Sequence, residues 1–317
     1  MADRAAPVVR VARGVTRVLG LNPGPFTLDG TNTYLLGEGE RRLLVDTGDG
    51  AQPRYFELLR ECLGGSGRID RILLTHWHGD HIGGVRGLLA MPDLVAPGCT
   101  VHKRPAAAAD GRDAVRAVLD PVRAQGRLRP IADAEAFDVP GGLRLEAAFT
   151  PGHAEDHTAF VLRLPGSEQR LLLTGDLVLG RGSAVVEDLG PYMDSLRRAL
   201  AIRPAALLPG HGPTVGGAGD AGDGGEAVRA IEGYIEHRNA RERQIVAALA
   251  RPPPRAGGWR VDEVAAAVYP DITDPPLVLA ARRNTLLHLR KLVRDGRAAE
   301  RHTADCGDLY SLIESRI

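Results

Sequence analysis

The residues from Thr75 to Gly84 carry the densest chemistry in the chain, reading T-H-W-H-G-D-H-I-G-G. His76, His78, Asp80 and His81 form the pattern H-x-H-x-D-H, four metal-capable side chains within six residues. In an extended segment alternate side chains point the same way, so His76 and His78 share one side and can grip one ion. Asp80 and His81 follow where the chain turns, and can face a second ion beside the first. Imidazole together with carboxylate suits zinc, and also iron or manganese. Without a metal, four such groups this close repel one another or stay solvated.

Three further apolar runs end in glycine and then a single His or Asp: Pro151-Gly152-His153, Gly175-Asp176 and Pro209-Gly210-His211-Gly212. Glycine lets the backbone turn sharply, so the next side chain projects from the strand's end. Assembled, the ligands make two groups. His76, His78 and His153 bind one metal, Asp80, His81 and His211 bind the other, and Asp176 bridges. Two ions about 3.5–4 Å apart hold a bridging hydroxide that is nucleophilic at neutral pH, and they clamp the oxyanion that forms. No G-x-S-x-G elbow occurs, so a serine hydrolase has no support. Asp46 closes another strand, where a carboxylate can hold a ligating histidine from behind. His157, four residues past His153, is a third candidate catalytic residue beside Asp80 and Asp176. It can orient substrate or protonate a leaving group, or it can pack behind a ligand. His102, His237, His288 and His302 have no motif around them.

These residues need strand ends to hold them. Val15–Leu21, Gly30–Leu36 and Arg42–Val45 read as an antiparallel meander, and Arg71–Leu74 as the strand feeding the histidine cluster. Leu94–Pro97, Leu143–Phe149, Thr158–Leu164, Arg170–Thr174 and Ala205–Leu208 read as strands. Gln52–Cys62 and Tyr192–Ile202 have helical spacing. Arg104–Gln125, rich in alanine and basic residues with a weak helical period, reads as a solvated insertion or, in the alternative, as a helix covering the site. Gly216–Gly225 is a polar, low-complexity linker. After it come a long amphipathic helix (Glu226–Leu249), two shorter helices (Val261–Val268, Leu277–Asp295) and a hairpin (Ala298–Tyr310), the plan of a winged-helix unit. The expectation is an α/β (α+β) protein with a catalytic domain over 1–225 and the long helix and winged-helix-like unit over 226–317.

Composition narrows the class. The chain has 317 residues, 44% of them hydrophobic and 25% charged, enough for one large domain and one small. Lys+Arg and Asp+Glu balance at 40 each, so any nucleic-acid role rests on a local patch rather than on bulk charge. Three scattered cysteines, Cys62, Cys99 and Cys306, make neither a disulfide framework nor a zinc site. No apolar run reaches bilayer length and no secretory segment opens the chain. Arg4, Arg10, Arg13 and Arg17 against Asp3 have the balance of a mitochondrial presequence, although Val8–Leu21 also reads as the first strands. Cytoplasm or mitochondrial matrix is therefore expected, rather than secretion.

The series H-x-H-x-D-H, P-G-H, G-D and G-H-G resembles the signature of the metallo-β-lactamase fold superfamily, with all seven ligand positions present. That resemblance implies an αββα sandwich with a binuclear site at one edge, holding two Zn2+ per chain. The runs Leu19–Pro25 and Gly30–Leu35, Thr75-His76-Trp77-His78, Pro151-Gly152-His153 with Asp156-His157, and Leu286–Leu292 resemble the beta-lactamase-like protein 2 family across nearly the whole chain. The characterised animal members of that family are mitochondrial endoribonucleases acting on single-stranded RNA. Fungal enzymes of similar layout are thioesterases that release polyketides from a carrier protein.

Both reactions use one hydroxide. RNA needs cations for its backbone, and a thioester needs an apolar slot and a carrier surface. From Arg282 to Arg301 seven Lys or Arg residues face two acids. The first expectation is a zinc-dependent endoribonuclease, the alternative a carrier-protein thioesterase, and the non-enzymatic reading a binding module that kept the fold. Loss of ligands would mark the last of these, and none is lost.

Overall fold

Strands β3 (Asn32–Leu36) and β4 (Arg41–Val45) each end in three consecutive apolar residues, the mark of strands covered on both faces. In the computed structural model, which describes residues 6–106, 110–217, 225–303 and 307–313, this is their position. Tyr34, Leu36, Leu43 and Val45 face one core cluster. Leu35 and Leu44, offset by one residue, face the other. The period of two thus sends one strand's side chains into two cores.

The first sheet has the order β1 (Val8–Ala12), β2 (Val15–Leu19), β3, β4, β5 (Arg68–Leu73), β6 (Val95–Lys103), β7 (Leu128–Pro130). Its first four strands are the expected antiparallel meander, and β4 to β7 run parallel. The second sheet has the order β13 (Val215–Gly216), β12 (Ala206–Pro209), β11 (Arg170–Gly175), β10 (Thr158–Arg163), β9 (Leu143–Phe149), β8 (Ala136–Val139). Leu145, Phe160, Leu162, Leu171, Leu173 and Leu208 meet the first sheet across the central core. On the outer side of the first sheet lie helices α1 (Pro53–Leu63), α2 (Gly79–Ile82), α3 (Val85–Leu89) and α4 (Asp113–Ala124). Helix α5 (Leu189–Ile202) buries Tyr192, Met193, Leu196 and Ala199.

Two expectations need correction. Arg104–Gln125 is no solvated insertion, because α4 buries Val115, Leu119 and Val122 in the outer core. Three apolar residues at helical spacing were masked by charged neighbours and by Pro121 inside the helix. Strand β6 runs to Lys103 instead of stopping at Pro97, since Pro97 and Gly98 sit in an irregularity between the pairs Ile69–Val95 and Arg71–Thr100. Residues 218–224 of the glycine-rich linker, with Asp3, Arg4 and Cys306, lie outside the described residues. Arg10 and Arg17 are residues of β1 and β2.

The chain divides into two compact units, 1–186 with 191–232, and 187–190 with 233–317. The division falls within helix α6 (Gly225–Leu249), seven residues past the expected boundary. In the second unit α6, α7 (Val261–Val268), α8 (Pro275–Arg294) and the hairpin β14 (Ala298–Thr303) with β15 (Gly307–Leu312) enclose Ile245, Val264, Leu289, Leu292 and Tyr310. Asp274 and two prolines start α8, the cap and N1 pattern a helix start favours. Among the described residues no helix is long and apolar enough to cross a membrane.

Candidate metal centre

The C-terminal ends of β4, β5, β11 and β12 deliver Asp46, the histidine cluster, Asp176 and His211 to one edge of the sandwich, and the β9–β10 turn delivers His153. His76 Nε2, His78 Nδ1 and His153 Nε2 form a triangle with sides of 2.8, 3.0 and 3.2 Å. His81 Nε2 and His211 Nε2 lie 3.3 Å apart, and Asp80 Oδ2 is 3.3 and 3.2 Å from them. Asp176 spans both groups. Its Oδ2 lies 3.6 Å from His153 Nε2 and 3.3 Å from His211 Nε2. The seven sequence-derived candidates therefore converge as two clusters, each with donor atoms within 4.8 Å of one another.

The donors fit cations. His153 Nδ1–H donates to the Val185 carbonyl at 2.7 Å. His81 Nδ1–H donates to Asp46 Oδ2 at 2.7 Å. The Thr75 hydroxyl donates to Asp46 Oδ2, so His76 Nδ1–H donates to Thr75 Oγ1 at 2.9 Å. Each bond orients its ring, and in His76 and His153 it leaves Nε2 as a lone pair toward the centre. His76 Nε2 and His153 Nε2 then face each other with no hydrogen between them. Asp176 Oδ1 is buried without a hydrogen-bond partner among the described residues. Converging acceptors without donors are stable only around positive charge.

Electrostatics divides the two clusters. Burial, then neighbouring imidazoles, holds His76 well below the usual range and pushes His78 down to about 3, keeping both neutral as metal binding requires. Burial also pulls on His81 and His211, but carboxylates outweigh it. Asp80, Asp46 and Asp176 raise His81 well above its ordinary value, and Asp176 and Asp80 lift His211 to about 9. Burial works against the charge of Asp80 and Asp176, yet the histidines beside them hold both carboxyls below the ordinary range. The second cluster thus holds protons that a cation would displace.

Backbone conformation aims these groups. Asp46 has φ +60°, a left-handed conformation that aspartate tolerates better than most residues. It accepts from Thr75 N–H at 2.8 Å as well as from His81. Gly152 has φ +130°, and a Cβ there would lie 2.4 Å from the Tyr192 backbone. At Gly175, φ +47°, a Cβ would meet His157 Nε2 at 2.8 Å. Both glycines are space requirements as well as turn requirements.

Of the two roles open to His157, its contacts favour packing behind a ligand over touching substrate. Its ring is fully buried, and Nε2 accepts from Asp176 N–H at 3.1 Å. Nδ1–H then donates to Thr150 Oγ1 at 2.8 Å. Both nitrogens are committed, so His157 positions Asp176 and has none free for a leaving group.

Sequence reasoning missed several supports. Asn22 Nδ2 donates to Thr31 Oγ1 at 3.0 Å, and the Thr31 hydroxyl donates to Asp80 Oδ2 at 2.8 Å. Asn32 Nδ2 donates to the carbonyls of Pro209 and Gly212, fixing the His211 turn from both sides. The Arg112 guanidinium lies 4.0 Å from the Trp77 ring centre, and Trp77 in turn meets His78 edge-on at 4.4 Å. The sole hint was small polar residues clustered at strand ends, which also make turns. Asp46→Ala is expected to lower metal affinity at the His81 cluster by about 10–100-fold, the range for partners behind ligating histidines. Competition against a chromophoric chelator measures this, and unchanged affinity would show that His81 is held by other means.

Comparison with known proteins follows this geometry. A model described as "Metallo-beta-lactamase superfamily" matches residues 26–211, and one described as "Beta-lactamase associated winged helix domain" matches 261–305. The chain is similar to a Drosophila melanogaster "Beta-lactamase-like protein 2 homolog", 38% identical over 94% of each chain. It is also similar to an Aspergillus novofumigatus "Atrochrysone carboxyl ACP thioesterase nsrC", 37% identical over 91% of this chain and 81% of that one. Among solved structures, a beta-lactamase domain protein from Burkholderia ambifaria superposes with a TM-score of 0.72 at 23% identity, covering 98% of this chain and 96% of that one. At that identity the likeness speaks for the fold alone.

Proposed function

We propose, because the chain belongs to the metallo-beta-lactamase superfamily, that it is a binuclear zinc hydrolase whose substrate is single-stranded RNA. His76, His78 and His153 would hold one ion and Asp80, His81 and His211 the other, with Asp176 available to both. Two bound ions supply a water-derived nucleophile at neutral pH and a clamp for the developing oxyanion. Asp80, the more exposed carboxylate at 24% of its side chain against 11% for Asp176, would be the group to accept the proton of that water. His157 and Asp46 hold their partners in register.

The observation that carries the RNA reading is on α8. Arg282, Arg283 and Arg290 are exposed and form no ion pair among the described residues. Arg283 and Arg290 are seven residues apart, two turns along one face. Of the other cations up to Arg301, Lys291 pairs with Glu242 and Asp295, Arg294 with Asp188 and Arg297 with Glu242. Tyr310 is fully buried and Tyr269 lies under Arg241, so base stacking on them has no support and phosphate contacts supply the binding.

A second reading has its own observation. Leu277, Val278 and Leu279 are exposed at the start of α8, one turn before Arg282 and Arg283. An apolar and basic surface suits an acidic carrier protein, and one relative is named as a carrier-protein thioesterase. One assay separates them. Zinc-loaded protein receives labelled single-stranded RNA and, in parallel, an acyl-carrier thioester, each with a chelator control. RNA cleavage sensitive to chelator is expected. The triple variant Arg282→Glu, Arg283→Glu, Arg290→Glu is expected to lower the salt slope of RNA binding by about 3, one per lost phosphate contact. Thioester release with RNA left intact would overturn the RNA reading in favour of acyl chemistry.

A further inference from the structure

Strand β6 ends at the same edge as the metal centre, one strand beyond the histidine loop, in Lys103 and Arg104. Lys103 is buried and faces two ways. Its Nζ lies 2.7 Å from Asp156, in the loop between His153 and His157, and 2.7 Å from Asp110. On the Asp110 side opens a cavity of about 220 Å³ with Lys103, Arg104, Arg123 and Arg129 in its wall and Leu119 and Leu128 among its apolar residues.

Four cations and one carboxylate, Asp110, line this cavity. Asp110 is already engaged by Lys103 and by Ala106 N–H at 3.2 Å. Arg123 is paired with Asp120. The other two arginines form no ion pair among the described residues, although Asp156, Asp133 and Glu155 lie close enough to Arg104 to act on its charge. Arg104 stacks on Phe149 at 4.3 Å, and its Nη1 is buried without a hydrogen-bond partner. Arg129 donates only to the carbonyls of Gly126 and Leu128, at 2.6 and 3.2 Å. A buried guanidinium nitrogen left unsatisfied is costly, and an oxyanion that offers two oxygens to the fork, as a phosphate does, is a fitting partner. The volume is below the roughly 300 Å³ at which pockets hold a whole small ligand, so the cavity has room for only part of one.

We infer that this cavity is a subsite for a phosphate ester group of the substrate, set beside the metal centre through the Lys103–Asp156 pair. The inference rests on the hydrolase reading for the word substrate. It does not depend on which of the two reactions is catalysed. An RNA strand and the phosphopantetheine arm of a carrier protein both present a phosphodiester with organic substituents.

The test is calorimetric binding to the metal-loaded full chain. Two pairs of probes are used: 4′-phosphopantetheine against pantetheine, and a dinucleoside phosphate against its uncharged methylphosphonate analogue. At least one charged probe is expected to bind about 10-fold or more tightly than its neutral partner, as charge-assisted hydrogen bonds give. Arg104→Gln and Arg129→Gln are each expected to shrink that difference while metal content and turnover of a phosphate-free acyl ester stay unchanged. Arg129→Gln keeps the test open if Arg104→Gln fails to fold, because Arg129 bonds only to backbone carbonyls of its own turn. The pair that shows the difference identifies the source of the phosphate. Charged and neutral probes binding alike would overturn the inference. So would a difference that survives in both variants, since the metal centre would then be holding the phosphate. Failure of RNA cleavage alone overturns the nuclease reading and leaves this binding difference measurable.

Discussion

Asp176→Ala is expected to reduce turnover by more than about 100-fold, beyond the range for residues that only support a ligand. Metal content per chain is expected to fall with it. Asp176 Oδ2 lies within 3.6 Å of His153 Nε2 and 3.3 Å of His211 Nε2, so no other carboxylate of the cluster reaches both groups so closely. Removing it leaves two half-sites rich in nitrogen lone pairs and poor in negative charge. Asp176→Asn separates charge from shape, since it keeps an oxygen but lacks the anion. The measurements are kcat on the preferred substrate and metal per chain by elemental analysis. Full turnover with unchanged metal in the alanine variant would falsify the bridging role.

Lys103→Met is expected to destabilise the fold by about 3–5 kcal/mol, the cost of leaving a buried charge without its partner. Asp156 is fully buried, and Lys103 is its ion-pair partner at 2.7 Å. Burial already raises the Asp156 carboxyl above its ordinary value, with Lys103 and the N–H groups of Asp156 and Trp77 pulling the other way. Without Lys103 the folded-state value rises further. A carboxyl raised on folding binds its proton more readily in the native state, so stability falls as pH climbs through the window between the unfolded and folded values. The deficit of the variant is therefore expected to shrink as pH is lowered toward the ordinary carboxylate range. Urea unfolding across pH measures it. A Lys103→Met, Asp156→Leu double variant is expected to recover most of the loss, because no unpaired charge remains. A deficit that is independent of pH and persists in the double variant would mean lost packing instead.

The strand framework was legible because its strands are apolar on both faces and end in turn residues. The seven convergent candidates were legible because glycine before each isolated His or Asp marks a side chain thrown off a strand end. Helix α4 was not, since its buried face is three residues wide and its charges dominate any window. The role of His157 could not be read either. A histidine four residues past another candidate has one spacing whether it faces substrate or backs a carboxylate, and the bond from Asp176 N–H decides between them. The Asn22–Thr31–Asp80 relay was hidden for the same reason, because asparagine and threonine at strand ends make turns and relays with the same atoms. Lys103 carried no local signal, since its partner is supplied by a distant loop.

His81 and His211 face each other although 130 residues separate them in the chain. No nascent chain that stops short of His211 can complete the second cluster, whereas His76, His78, His153 and Asp176 of the first are all made earlier. The long loops this spacing demands slow the search for the native pairing. Until an ion arrives, the finished fold must tolerate unshielded lone pairs at its rim. An ion that binds the folded chain and not the unfolded one stabilises it by mass action, with the logarithm of its free concentration once that exceeds the dissociation constant. Thermal stability is thus expected to track the supply of metal to the growing cell.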